Sequence, residues 1–222
     1  MLSFQPMAPV LRLRKRDFVR HEIFHAALTL FTAQGYEGTT MDDIAAATGV
    51  SRRTLFRYYA SKDDLMVKAI DSYGDLLTAA IRSAAPDLAP LEVVRHAAAS
   101  VAAKVVVEPR VREVMEVSAS SPAARRAQLL ELEVVTKRIA GEYRRALGRR
   151  SSASATPQLM ASLTLAVLTH TFGAWYVQPN VRIDLVVDET MAALTNLITP
   201  AGRAAAAPHA QGESRSRRPA RR

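Results

Sequence analysis

The sequence predicts an all-α chain of about nine helices, with a small three-helix N-terminal domain followed by a larger helical domain. Three observations carry this. Hydrophobic residues make up 49% of the 222 positions but aromatics only 6%, so Ala, Val and Leu supply the apolar content and glycines are few; such a composition favours helix over strand. Apolar residues recur at helical spacing through most of the chain, and no stretch alternates convincingly as a strand. Capping residues, glycines and prolines punctuate the chain where helices should start and stop.

Residues 1–14 contain Pro6 and Pro9 and read as a flexible basic arm. From Lys15 to Gln34 the residues Phe18, Ile23, Ala27, Leu30 and Phe31 keep helical spacing, and Gly35 stops that helix at its C-cap. Thr40 caps a short second helix with Asp42 and Asp43 in its first turn, where the helix dipole favours acids. Gly49 breaks it, and Ser51 caps a third helix reaching about Tyr58. Ser61 caps a fourth, with Asp63 and Asp64 behind it, running to about Ala84 before Pro86 and bridging the two domains. Pro90 and Pro109 suit helix starts, giving helices at about 90–107, 109–119 and 121–148. A Ser/Ala loop precedes Pro157, which opens the eighth helix to about 177. Pro179-Asn180 makes a turn, and the ninth helix runs from about Arg182 to Ile198. After Pro200 the composition falls to Ala, Arg, Ser and Pro, which cannot bury enough surface to fold. The expected domains are 15–69 and 70–200, with 201–222 a disordered basic tail.

Length allows one or two domains and a real core. There is no cysteine, so disulfides and thiolate metal sites are excluded and a cytoplasmic home is expected. The start, MLSFQPMAPVLRLRKR, places its basic cluster after the weakly apolar stretch, unlike a signal peptide. The longest apolar candidate, Leu159 to Val177, is interrupted by Ser162, Thr164, Thr169, His170 and Thr171 and reads as a buried helix, not a membrane span. The net charge of +9 is uneven: residues 1–60 carry +3, 61–202 only +1, and the segment from Arg203 onward +5. Basic ends on a neutral body point to nucleic-acid contact at one or both ends, with solvated charge as the plainer reading of the tail.

The informative stretch runs from Thr39 to Leu65: TTMDDIAAATGVSRRTLFRYYASKDDL. Ile44, Ala45, Val50, Leu55 and Phe56 supply the apolar positions of a compact helix-turn-helix. Gly49 sits where the turn calls for positive φ, and Ser51 caps the next helix. Arg52, Arg53, Thr54 and Arg57 then lie on or beside a short, basic, hydroxyl-bearing outer face, the character a helix needs to read the major groove.

This stretch resembles the TetR family of one-component regulators. The match rests on Phe31-x-x-x-Gly35-Tyr36, Thr39-Thr40, Asp43-Ile44-Ala45, Gly49-Val50-Ser51, Thr54-Leu55-Phe56, Tyr58-Tyr59 and Ser61-Lys62-Asp63-Asp64-Leu65. It covers the first four helices, roughly a quarter of the chain. Phe56 and Tyr59 exchange the tyrosine and phenylalanine usual at those places, and Phe56 thereby lacks a hydroxyl for a phosphate. The resemblance implies a phosphate contact for Thr40, base or flanking-backbone contacts for Arg52, Arg53 and Thr54, and phosphate grips from Tyr58 and Lys62. Arg57 is added from its place on the helix face. For Tyr58 packing is an equal alternative, and for Arg53 and Arg57 the alternative is solvated charge.

Beyond the fourth helix the resemblance is architectural, implying a ligand pocket among the fourth to eighth helices and a homodimer made by the last two. The sequence supports the dimer independently. The eighth helix carries Leu159, Leu163, Val167, His170 and Ala174 on one stripe and further apolar residues on others, and the ninth offers Leu185, Val186, Met191, Leu194, Leu197 and Ile198. Such helices are apolar over too much surface to pack on one side only. Pocket candidates are His96, Met115, Tyr143, His170, Phe172 and Trp175, although such residues on a helix are more often core. A lining of Ala, Val and Leu favours a small apolar or amphipathic ligand. The expected function is an operator-binding repressor released by that ligand, working on double-stranded DNA with a near-palindromic site. Activation, and DNA binding that requires ligand, are the family's other modes. No metalloprotease, nucleotide-loop or nucleophile-elbow motif is present, and no catalytic residue, cofactor or metal is expected. A purely architectural DNA-binding dimer and a protein-binding adaptor are the remaining classes.

Overall fold

A computed structural model of the chain describes residues 8–148 and 156–198. Among the described residues it forms nine α-helices and no strand: α1(Ala8–Gln34), α2(Met41–Thr48), α3(Arg52–Tyr58), α4(Lys62–Ser83), α5(Pro90–Val105), α6(Val111–Ser120), α7(Pro122–Leu147), α8(Thr156–Val177) and α9(Ile183–Ile198). The all-α expectation holds, with most boundaries within two residues. The departure is α1, which begins at Ala8 instead of Lys15. Pro9 falls in its first turn, where a missing N–H costs nothing because that donor has no helical partner anyway. Residues 1–7 of the expected arm, the Ser/Ala loop and the expected tail lie outside the described residues.

Two hydrophobic cores organise these helices. The N-terminal core gathers Ile23, Leu28 and Phe31 of α1, Ile44 of α2, Leu55 of α3, and Leu65 and Met66 of α4. The second joins Leu77 and Ile81 of α4 to Val94 and Val101 of α5, Ile139 and Tyr143 of α7, Val167 of α8, and Val187 and Met191 of α9. Helix α4 is one uninterrupted helix that gives its first two turns to one core and its last two to the other. The α6–α7 corner also crosses between the cores. Val114, Val117 and Ala124 complete the N-terminal core, while Met115 packs against the second.

Helix α4 is bound to α7 along its length. In its middle, the Arg138 guanidinium of α7 lies across the α4 backbone, donating to the Asp71 carboxylate at 2.9 Å and to the Asp71 carbonyl at 3.0 Å. Only glycine permits this crossing, because a Cβ on Gly74 would stand 1.7 Å from Arg138 Nη2. At its C-terminal end, Arg82 donates to the buried Glu142 carboxylate of α7 through Nε at 3.0 Å and Nη2 at 2.7 Å.

Candidate nucleic-acid interface and effector cavity

The reading head is set by local chemistry. Thr40 and Asp43 form a reciprocal capping box on α2. Gly49 ends α2 at φ +65°, a left-handed conformation that glycine adopts without Cβ strain. Ser51 accepts from the Thr54 backbone N–H at 3.1 Å and so starts α3 two residues beyond the turn. Leu55 and Tyr59 anchor α3 in the core, which leaves Arg52, Arg53, Phe56 and Arg57 exposed. The Tyr59 hydroxyl donates to the Arg20 carbonyl at 3.2 Å, and burial pushes its phenol up to about 12.

The seven expected DNA contacts differ in how free they are. Arg53 is exposed and makes no hydrogen bond or ion pair within the described residues. Arg52 is also exposed, but its guanidinium meets Asp42 at 3.3 Å and stacks over Phe56 at 5.5 Å. Arg57 stacks over the ring of Tyr58 at 5.3 Å, and Tyr58 itself packs half-buried against the core. Thr54 is half-buried, and its hydroxyl accepts from Ser51 at 2.9 Å. Thr40 is exposed, but its N–H and hydroxyl both donate to the Asp43 carboxylate, at 2.8 and 2.7 Å. Lys62 is turned inward: its ammonium donates to the Tyr36 carbonyl at 2.6 Å and to the Glu37 carbonyl at 3.3 Å, over the Tyr36 ring. A phosphate role for Thr40 or Lys62 therefore requires an exchange of partners. The acids that hold Arg52 and Thr40, Asp42 and Asp43, stood in plain view in the sequence, whereas the carbonyls of Tyr36 and Glu37 that hold Lys62 did not. Both acids stand within the first turn of α2, and only folding shows that Asp42 faces Arg52.

A second junction escaped the sequence reading. The Ser121 hydroxyl caps α7 by accepting from the Ala124 N–H at 3.1 Å and donates to the Glu37 carboxylate at 2.6 Å. That bond holds the Glu37 carboxyl below its usual range. At the other end of α6, Arg110 donates to the Thr29 hydroxyl of α1 at 3.1 Å. The α6–α7 corner thus grips the turn between α1 and α2 from the second domain. Ser121-Pro122 reads from sequence as a helix start, but nothing in it names Glu37 as partner.

The second domain contains a cavity of about 660 Å³ at the end farthest along α4 from the reading head, between the ends of α4 and α7 and the starts of α5 and α8. Of the six expected ligand residues, only Tyr143 lines it. Its buried hydroxyl pairs with Thr164 at 2.6 Å, and burial pushes the phenol up to about 12. The others lie elsewhere. His96 meets Ser83 at 3.3 Å, Met115 and Phe172 pack against the core, and His170 is exposed on α8. Trp175 is buried beneath Arg112, whose guanidinium stacks on Trp175 at 5.3 Å and Tyr176 at 5.0 Å. The aromatic end of α8 is thus filled by a side chain of α6. The cavity is instead built from residues too ordinary to attract attention in sequence: Ile81, Leu88, Val93, Leu147 and Met160, with Arg82, Glu142 and Arg145 at its charged side.

The outer face of α8 and α9 also departs from the expected stripe. Val167 points into the core and Leu163 is half-buried. The open face of α8 runs through Leu159, Ser162, Ala166, Thr169, His170, Gly173 and Val177, continued on α9 by Leu185, Ala192, Ala193 and Leu197. Small and apolar side chains make up most of it, with His170 on α8 and the exposed Glu189 and Asn196 on α9 among them.

Residues 23–69 match the family described as bacterial regulatory proteins, tetR family. The chain is 37% identical over 100 residues to the transcriptional regulator TcmR of Streptomyces glaucescens, covering 45% of this chain and 44% of that protein. It is 32% identical over 54 residues to IcaR, a negative transcriptional regulator of the biofilm operon icaADBC in Staphylococcus epidermidis, covering 24% of this chain and 29% of IcaR. The chain therefore spans less than half the length of these relatives. The crystal structure of NalD, the secondary repressor of the MexAB-OprM efflux pump in Pseudomonas aeruginosa, shares the fold at a TM-score of 0.57 and 17% identity. That likeness covers 82% of this chain and 96% of NalD. The helix-turn-helix segment, residues 23–69, is thus where this chain matches the tetR family of bacterial regulatory proteins.

Proposed function

We propose that the chain is a homodimeric, sequence-specific DNA-binding repressor whose operator binding is relieved by a small apolar or amphipathic molecule in its C-terminal domain. The observation that carries this reading is α3. It is a short helix held by a Gly49 turn and a Ser51 cap, presenting to solvent an Arg53 without a partner among the described residues, with Arg52 and Arg57 beside it. Such a face suits hydrogen bonding to guanine edges and phosphates in the major groove.

The exposed small and apolar face of α8 and α9 supports the dimer, since pairing it with a copy buries surface that water would otherwise hold. A two-fold dimer places two α3 helices for half-sites one DNA turn apart, about 34–36 Å. The cavity supports an effector of drug-like size, within the roughly 300–1,000 Å³ usual for ligand sites. Its occupant touches the last turn of α4, the helix whose first turn grips the α1–α2 turn through Lys62. A ligand that prefers a different α4 position shifts the spacing of the two reading heads, by no more than its differential affinity for the two states. No enzymatic role is proposed. Among the described residues no three His, Asp or Glu side chains are grouped to hold a metal ion, and none of the helices is long and apolar enough to cross a membrane.

Selection of genomic fragments on the purified chain, followed by binding of the recovered DNA across a salt series, tests this. The expected result is a short near-palindrome bound by a dimer, with affinity falling steeply as salt rises. Weak binding of equal strength to every fragment would overturn it.

A further inference from the structure

The charges around the cavity are unbalanced, and the imbalance says what the cavity takes. Its walls are apolar on one side, formed by Ile81, Leu88, Val93, Leu147 and Met160. On the other side stand two arginines and one acid. Among the described residues that line the cavity, Glu142 is the sole acid, and its side chain is only 5% exposed. It receives Arg82 Nε and Nη2, at 3.0 and 2.7 Å, and Arg145 Nη1 at 2.7 Å. One carboxylate therefore serves two guanidiniums, leaving a local charge of +1 and further N–H donors on both arginines. Those side chains remain more than half exposed, so they can turn toward an incoming group while their stems stay on the wall. Planar guanidinium donors match a carboxylate two by two, a geometry that an alcohol or an amine cannot satisfy.

We propose that the cavity binds an amphipathic monoanion, its apolar body against Ile81, Val93 and Met160 and its carboxylate between Arg82 and Arg145. This rests on the effector reading above and adds the ligand's charge and orientation to it. It also states how occupancy reaches α4. The ligand's head group takes donors from Arg82, which lies in the last turn of α4, and so competes with the Glu142 contact that ties α4 to α7.

The test is calorimetric titration of the full chain at pH 7.5 with three probes of one chain length: decanoate, 1-decanol and decylammonium. Decanoate should bind at least about tenfold more tightly than decanol, the difference expected for a charge-assisted over a neutral hydrogen bond, with decylammonium weakest. The variant carrying Arg82→Gln, Glu142→Gln and Arg145→Gln together removes the cluster without stranding a buried charge. It should keep decanol binding and lose the preference for decanoate. Equal or tighter binding of decanol or decylammonium to the unaltered chain overturns the proposal, as does the absence of saturable decanoate binding, and neither result depends on the variant folding. Fragment binding measured on the same samples separates the two readings. Specific DNA binding without decanoate binding removes the anion site alone, whereas decanoate binding without specific DNA binding removes the regulator reading alone.

Discussion

Replacing Gly74 by alanine isolates the contact that fastens α4 to α7. The added Cβ would stand 1.7 Å from Arg138 Nη2 and 3.0 Å from Val135 Cγ2. The guanidinium is the end of a flexible side chain and can swing away, but it then gives up the Asp71 carboxylate at 2.9 Å, the Asp71 carbonyl at 3.0 Å and the Asp75 carboxylate at 3.2 Å. Arg138 is 32% exposed, Asp71 47% and Asp75 74%, so each ion pair is partly screened and contributes about 0.2–1 kcal/mol. The bond to the carbonyl adds about 1 kcal/mol. Arg138 Nε is already buried without an acceptor, which keeps the total toward the low end, about 1–2 kcal/mol. Against this, alanine is better than glycine in a helix interior by about 0.8–1 kcal/mol. Gly74→Ala should therefore destabilise the chain by at most about 1 kcal/mol. In an Arg138→Ala background only the 3.0 Å approach to Val135 Cγ2 remains against the helix preference, so the same substitution should lie between neutral and about 1 kcal/mol stabilising. Urea unfolding of the four proteins at one protein concentration yields the coupling, expected at about 1–2 kcal/mol with a change of sign. A loss of equal size in both backgrounds would show that Arg138 does not occupy the space over Gly74.

Five further substitutions have expected outcomes. Arg53→Ala should cost about 1–3 kcal/mol in discrimination between the selected operator and a scrambled one, read by fluorescence anisotropy. Arg52→Ala should cost less, because its guanidinium must first leave Asp42. Gly49→Ala places a Cβ at φ +65° with no atom within 4 Å, so thermal unfolding should show a purely conformational loss of about 1–2 kcal/mol. Two arginines hold the Glu142 carboxyl below its usual range, Arg82 first. Its stabilisation is therefore complete above the unfolded glutamate value of about 4.3 and is lost as pH falls through the lower folded value. Glu142→Gln should lower stability at neutral pH and flatten the acid limb of the stability–pH curve, and an unchanged limb would count against the pairing. Gly173→Leu adds bulk to the open face of α8, where a Cβ meets nothing within 4 Å of this chain. It should halve the sedimenting mass without lowering the stability of the monomer.

Legibility in the sequence followed the range of the forces involved. Thr40, Gly49, Ser51 and Ser61 act within four residues of themselves, and each cap and turn stands where its residue type called for it. Helix periods were readable for the same reason, and Pro9 misled only because a proline that opens a helix looks the same in sequence as one that prevents it. The site was less legible, because its partners are distant in sequence. Arg52 meets Asp42 ten residues away, Lys62 reaches Tyr36 across 26, Ser121 reaches Glu37 across 84, and Arg82 meets Glu142 across 60. Aromatic residues drew the expected pocket toward α8, yet Arg112 fills the space beside Trp175 and the open volume lies among aliphatic side chains at the other end. A cavity is a property of what several helices fail to fill, and no single stretch of chain records it.

The arrangement of these contacts bears on how a site so far from α3 can act on it. Helix α4 has 22 residues, about 33 Å at 1.5 Å per residue. The Gly74–Arg138 crossing divides it unequally, with Lys62 twelve residues to one side and Arg82 eight to the other, distances of about 18 and 12 Å. If the crossing serves as the pivot, a displacement at Arg82 is magnified about 1.5-fold at Lys62, whose ammonium carries the α1–α2 turn with it. The α6–α7 corner opposes that movement, because Ser121 holds Glu37 of the same turn and Val114 and Val117 sit in the N-terminal core. Rotation of α4 therefore requires the corner to slip or follow, which converts a graded push into a choice between two packings. Coupling free energies of about 1–3 kcal/mol are usual for such switches. On this account Ser121→Ala should raise the response of DNA affinity to ligand by loosening the opposing grip. An unchanged response would place the opposition in the apolar packing of Val114 and Val117 instead.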